Sequence, residues 1–281
     1  MTISELKSRF VKIEKLKKGG QKTVYKAILP DNTLVALKII PNISDKRVLQ
    51  EIDILKNLNS VNIPKILEAG IVSDEEIEEE ALYIVEEYID GSSLRDLINN
   101  KQLATLNAAY NLLSALITIE TLLEEKGILH RDINPNNVMI DKSDNVYLID
   151  FGIAKRIDGP SLTVTEAIHG PFTPGYAPHE QFSNMKLQQD VRTDLFQIGV
   201  TIYEYCTGEN PFVKPTDTVN EILSKTVSLH PTPITFDGDS KGMFSQFVGM
   251  LMAKSQSQRP NSAKDALRYL NVIKPTLILE V

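Results

Sequence analysis

The spacing of apolar residues changes near Gly91, and this change restricts the architecture more than any other feature of the chain. Before it, apolar and polar residues alternate. Phe10–Leu16 does so, as does Thr23–Leu29 after the Gly19-Gly20 pair, and Leu34–Ile40 follows the turn signal Pro30-Asp-Asn-Thr33. Three strands joined by short turns predict an antiparallel sheet. Ser44–Leu58 reads as a helix, with Val48, Ile52, Leu55 and Leu58 on one stripe, and Ile63–Val72 and Leu82–Ile89 read as two more strands. After Gly91 the period becomes helical. Leu103–Lys126 carries Leu106, Tyr110, Leu113 and Ile117, and Gly127 stops it. Val138–Ile140 and Val146–Ile149 predict a hairpin. Asp194–Thr207, Thr216–Val227, Lys241–Ala253 and Asn261–Val272 are further helices between prolines. The fold class is α+β. A small β-rich lobe spans about residues 10–88, a hinge lies at about 88–91, a larger helical lobe spans about 92–273, and 274–281 is a short tail.

Composition narrows the function classes. With 42% hydrophobic and 24% charged residues over 281 positions, the chain can bury a core and is not disordered as a whole. Its net charge of −7 argues against a nucleic-acid partner. Most of that charge sits in one segment, Asp74, Glu75, Glu76, Glu78, Glu79 and Glu80, which reads as a solvated loop tip or a docking surface for a basic partner. One cysteine, Cys206, allows neither an intrachain disulfide nor a multi-cysteine metal site. No apolar run approaches the length of a membrane span, and the first residues lack a signal-peptide stretch, so a cytoplasmic protein is expected.

The chemistry concentrates in three places. His130-Arg131-Asp132-Ile133-Asn134-Pro135-Asn136-Asn137 follows the long helix. Asp150-Phe151-Gly152 comes after the predicted hairpin, and Val35-Ala36-Leu37-Lys38 lies on a predicted strand. In this order and context the chain resembles the eukaryotic-like (Hanks-type) Ser/Thr protein kinases, in wording closest to bacterial members, over about residues 10–273. The resemblance implies a two-lobed kinase fold, protein substrates, and Mg²⁺-dependent transfer of the ATP γ-phosphate to Ser or Thr hydroxyls. Phosphoryl transfer needs positioning and charge neutralisation more than covalent chemistry, which suits these residue types.

By resemblance, Lys38 holds the α- and β-phosphates and Glu51 pairs with it. Asp132 accepts the substrate hydroxyl proton, and Asn137 and Asp150 ligate Mg²⁺. Leu16, Gly19, Gly20 and Val24 belong to the nucleotide loop and its strands. Val24, Ala36 and Met139 sandwich adenine, and Glu87 and Ile89 meet it through backbone groups. His130 and Phe151 stack with Leu55 and Ile66 as an internal spine. Thr173–Gln181 resembles the peptide-substrate end of an activation segment, with Thr173 bonding the catalytic Asp, Glu180 paired with Arg259, and Asp194 anchoring the catalytic loop. Arg131 is the expected receptor for a phosphate placed by autophosphorylation on Thr163 or Thr165.

Three positions depart from the family pattern. Only Gly19 matches its loop glycines, with Lys17 and Lys22 able to compensate electrostatically. Asn134 stands where a lysine usually contacts the γ-phosphate, and losing such a donor typically costs about 10²–10³ in rate. Glu86 stands where an apolar residue or Thr is usual; such a carboxylate must find a partner, turn to water or raise its pKa. Two alternatives therefore stay open: a nucleotide-binding pseudokinase scaffold, and a small-molecule kinase of the same fold, which the Asn-Pro-x-Asn wording also suits.

Overall fold

A computed structural model describes residues 1–18, 22–41, 52, 56, 58, 60–74, 79–151, 155–156 and 172–279. Its contacts form two compact units, Met1–Gly91 and Ser92–Val281.

The first unit is built on strands β1 (Lys12–Lys18), β2 (Thr23–Ile28), β3 (Leu34–Pro41), β4 (Ile66–Asp74) and β5 (Glu79–Glu87). They lie in the order β1-β2-β3-β5-β4, each neighbour antiparallel. β4 begins three residues later than its apolar run suggests, and Ile63 is buried ahead of it. β5 begins inside the acidic segment, where Glu79 and Glu80 pair with Asp74 and Ser73; residues 75–78 lie outside the described residues.

Helix α1 (Ile3–Ser8) precedes the sheet. The alternating pattern does not announce it, but Thr2 and Glu5 close a capping box. Leu6 packs beneath the sheet with Phe10, Ala27, Val35, Leu37, Val72 and Tyr83. On another cluster, Ile40, Leu82 and Ile84 take in Ile52, Ile66 and Ala69. Of the helix predicted over 44–58, only 52, 56 and 58 are described, and Ile52 and Lys56 are helical. Side chains alternate along a strand, so Val35, Leu37 and Ile39 share one face of β3, and Ala36, Lys38 and Ile40 share the other. All six are buried.

The second unit is mainly helical. At its start, β6 (Gly91–Ser93) leads into α2 (Leu94–Asn99), α3 (Leu106–Glu125) and β7 (Ile128–Leu129). β8 (Val138–Asp141) and β9 (Val146–Leu148) are the predicted hairpin, and β6 joins β8 in a three-stranded sheet. β10 (Lys155–Arg156) pairs with β7. Then come α4 (His179–Phe182), α5 (Val191–Thr207), α6 (Val219–Ser228), α7 (Met243–Leu251) and α8 (Ala263–Ile273). Side-chain caps explain where four helices begin. Thr105, Asp190, Thr218 and Ser262 each accept a backbone N–H from the first turn, which moves the starts of α3, α5, α6 and α8 from the predicted positions. The tail returns to the fold, where the Ile278 N–H donates to the Gly238 carbonyl at 2.9 Å.

Helix α3 bears on the expectation of no membrane span. Among the described residues it is the one helix long and apolar enough to cross a membrane by length and composition, although more than half of its apolar window is buried within the fold. Leu113, Ile117 and Leu123 are fully buried, as a core helix requires. Two buried points stand out where α5 meets its neighbours α3 and α7. At Gly199 a Cβ would lie 2.8 Å from the Leu251 Cβ and 2.9 Å from the Met252 Cγ, so α5 and α7 meet backbone to side chain. At Glu120, fully buried on α3, neither carboxylate oxygen has a hydrogen-bond partner. Burial, with the nearby charges of Asp194 and Glu124, pushes its pKa well above the ordinary 4.5.

Two outcomes are expected from thermal and denaturant unfolding. Gly199→Val overpacks the α5–α7 contact and lowers stability by about 1–3 kcal/mol. Glu120→Met removes an unsatisfied buried group and raises stability by about 1–3 kcal/mol. Because the folded-state pKa of Glu120 is raised, its carboxyl destabilises the fold increasingly as pH rises above the unfolded value. The gain from Glu120→Met is therefore larger near pH 8 than near pH 5, and an equal gain at both would contradict the assignment.

Candidate active site

Within the first unit, Lys38 is the one charge on its face of β3. Its Nζ lies 2.9 Å from Glu86 Oε1 on β5, with both side chains about 5% exposed. Of the three routes open to Glu86, the structure shows the first, a partner. Ala36, on the same face, is buried, Val24 is half-buried on β2, and Leu16 on β1 is half-exposed. The Glu87 N–H donates to Lys65 O at 3.0 Å, and Ile89 is buried. Gly19, Gly20 and Glu51 lie outside the described residues.

In the second unit the site is built from α5 outwards. Asp194 Oδ2 accepts the His130 N–H and Oδ1 accepts the Arg131 N–H, both at 2.7 Å. Gln197, one turn on, accepts the Ile133 N–H at 2.8 Å and donates to the Arg131 carbonyl at 2.8 Å. Thr201 donates to the Ile133 carbonyl at 3.3 Å. Spacings of three and four place these residues on one helix face. Gln181 of α4 adds a donor to the Arg131 carbonyl at 2.7 Å. Burial pushes the Asp194 carboxyl up to about 6, although the two N–H donors oppose this.

This cradle fixes the loop that carries Asp132. Asp132 Oδ1 accepts from Thr173 Oγ1 at 2.5 Å and from Asn134 Nδ2 at 3.0 Å, and Oδ2 accepts from Asn137 Nδ2 at 2.8 Å. Burial raises its pKa to about 6; the Thr173 bond pulls it down, Asp150 pushes it up, and the two amides pull it down. The Asn134 amide group also donates to the Asp132 carbonyl, while its Oδ1 accepts from Asn136. Asn134 is thus buried and turned onto its own loop. His130 donates from Nε2 to Ile149 O at 3.3 Å and stacks edge-on against Phe151, with centroids 4.5 Å apart. Leu55, the predicted third member of that stack, lies outside the described residues. Arg131 and Asp150 have φ values of 67° and 70°, a left-handed conformation that non-glycine residues adopt only when held. Met139 is half-buried on β8.

A second set of contacts seats the segment bearing Thr173. Arg259 meets Glu180 Oε1 at 2.5 Å, and its remaining N–H groups reach the carbonyls of Ala253, Arg192 and Lys254. The guanidinium is nearly fully buried and its donors are satisfied, as a buried ion pair requires. The Tyr176 hydroxyl bonds Glu204, and Arg95 reaches both, at 2.6 Å each. Arg131 is 8% exposed, and its Nε has no hydrogen-bond partner. Thr163 and Thr165 lie outside the described residues.

Sequence reasoning named Asp194, Glu180, Arg259 and Thr173 but missed Gln181, Gln197, Thr201 and the Arg95–Tyr176–Glu204 group. The polar positions 194, 197 and 201 inside an apolar helix are the signal that was present.

Comparison with known proteins gives one consistent result. The protein kinase domain family matches residues 10–270. The chain is 28% identical over 279 residues to a probable serine/threonine-protein kinase of Clostridium perfringens, covering 96% of this chain and 39% of that protein. It is 33% identical over 273 residues to the probable serine/threonine-protein kinase PknB of Bifidobacterium longum, covering 90% of this chain and 38% of that protein. With the serine/threonine-protein kinase RUNKEL of Arabidopsis thaliana the identity is 29% over 224 residues, or 80% of this chain and 15% of that protein. The chain spans about two fifths or less of the length of these relatives. A match over nearly the whole chain, on a fold that seats the matching residues as described, leads to one conclusion: the chain belongs to the protein kinase domain family.

Proposed function

We propose that the chain transfers the γ-phosphate of ATP to Ser and Thr hydroxyls of protein substrates. The observation that carries this reading is the Thr173 hydroxyl lying 2.5 Å from Asp132 Oδ1. It shows that the carboxylate accepts a hydrogen bond from an aliphatic hydroxyl, the group a Ser or Thr substrate presents. In this reading Asp132 takes the acceptor's proton as its oxygen attacks phosphorus, and Asn134 and Asn137 are positioning residues that hold both carboxylate oxygens. Lys38 neutralises phosphate charge. The Glu180–Arg259 pair and the Tyr176 network support a protein acceptor, because they seat the segment that resembles a peptide platform.

The family uses ATP and typically Mg²⁺, and the donors here suit that ion. Asn137 turns its Nδ2 to Asp132, which leaves Oδ1 as a hard oxygen, and Asp150 adds a carboxylate. When bound, the ion supplies charge neutralisation at the phosphates.

Radiolabelled ATP with generic protein substrates tests the reading. Asp132→Asn is expected to lower transfer by about 10²–10⁴. Nucleotide binding without any transfer by the wild type would instead establish a scaffold, and turnover only with metabolites would establish a small-molecule kinase.

The buried Arg131, whose Nε lacks a partner, supports a further part of the proposal: autophosphorylation at Thr163 or Thr165, with the phosphate received by Arg131. Mass spectrometry after incubation with Mg-ATP is expected to find phosphate on one of these residues in the wild type and none in Asp132→Asn. No phosphate within residues 161–173 of an active wild type rejects it.

A further inference from the structure

The Lys38–Glu86 pair is a property of the sheet alone. Strand pairing sets Ala36 opposite Glu86 and Lys38 opposite Ile84. Lys38 and Glu86 are therefore diagonal neighbours on one face, within reach of two long side chains. Their charged atoms lie 2.9 Å apart and are almost wholly buried. The neighbours on that face are apolar: Ala36 and Ile40 on β3, Leu82 and Ile84 on β5. In such surroundings an ammonium keeps its proton only beside a counter-charge. β5 is an inner strand, bonded to β3 on one side and β4 on the other, so the Glu86 backbone is fixed by two ladders. A carboxylate delivered this way moves with the lysine it holds.

We propose that Glu86 is a positioning residue for nucleotide binding: it holds the Lys38 ammonium charged and in place for the phosphates of ATP. This rests on the reading of Lys38 as the phosphate-binding lysine. It gives a task to a carboxylate at a position where the family usually has an apolar residue or Thr. Glu86 acts through Lys38, so its effect is confined to the phosphate end of the nucleotide.

Binding of MgATP and of adenosine, which lacks phosphates, separates this role from general support of the pocket. Glu86→Gln removes the charge at constant shape. It is expected to weaken MgATP binding by roughly tenfold or more, the scale of one charge-assisted hydrogen bond, and to leave adenosine binding within about twofold. In a Lys38→Met background the same substitution is expected to have little further effect on MgATP. Should Glu86→Gln not fold, Glu86→Asp keeps the charge and shortens the reach, and a smaller loss for MgATP with adenosine unchanged is expected. MgATP binding equal to or tighter than wild type overturns the proposal, as does an equal loss for both ligands. The measurement does not depend on phosphate transfer. A wild type that binds MgATP but transfers nothing overturns the proposed activity and leaves this role standing. A wild type that transfers phosphate, with a Glu86→Gln variant that binds normally, does the reverse. A wild type that binds no MgATP overturns both.

Discussion

The Arg131 peptide is the point on which the second unit's chemistry depends. Its φ of 67° is unfavourable for a side chain with a Cβ, at a cost of roughly 1–2 kcal/mol. The surrounding bonds hold it there. Asp194 takes the N–H, while Gln181 and Gln197 both reach the carbonyl. Three neutral or charged side chains on two helices therefore over-determine one backbone unit. The residue that follows, Asp132, is delivered to Asn134, Asn137 and Thr173 as a consequence. A carboxylate in the Asp194 position is needed because it alone accepts two adjacent N–H donors with its two oxygens.

That solution places negative charge in the core, and the structure shows its side effects. Asp194 is pushed up to about 6 by burial, and its charge helps to raise the pKa of the buried Glu120 on the neighbouring helix. Arg131 supplies the opposing positive field at Asp194. The α3–α5 interface is thus less stable than an apolar one would be. Its polar content sits directly behind the loop that carries the chemistry, which is where natural folds commonly accept such a cost.

Much of this was legible in the sequence, for identifiable reasons. The switch from period two to a helical period separates the two units, because it reports which face each element buries. Glu180–Arg259 and Asp194 were legible because motif wording fixes them. Helix α1 was missed although Thr2 and Glu5 spell its cap, since six residues are too few for a periodic signal. Gln181 and Gln197 were missed because, apart from the bond between them, they bond backbone atoms, which leave no complementary residue type to find. The Lys38–Glu86 pair was out of reach for another reason. It depends on the β3–β5 register, and β5 reaches β3 only after the chain has traversed β4. The sequence showed that Glu86 needed a partner; only the register identifies it.

The two units hold their central charges by opposite means, and the difference follows from what the proposed activity would ask of each. On the proposed role, Lys38 is to stay charged, and Glu86 Oε1 at 2.9 Å favours that. A proton-accepting carboxylate has the opposite requirement. A cation against Asp132 would hold it ionised and weaken it as a base. Its hydrogen-bond partners are instead two amides and a hydroxyl, which orient both oxygens yet leave its pKa raised to about 6. Asn134 fits this pattern. Where the family usually has a lysine, this chain has a neutral donor turned onto Asp132; under the proposed activity it would give up a positive charge at the phosphates and retain proton affinity at the carboxylate. The two departures, Glu86 and Asn134, are then related. On the proposed activity, one strengthens the electrostatic hold on the lysine that would bind phosphate, and the other keeps a cation away from the carboxylate that would accept the proton.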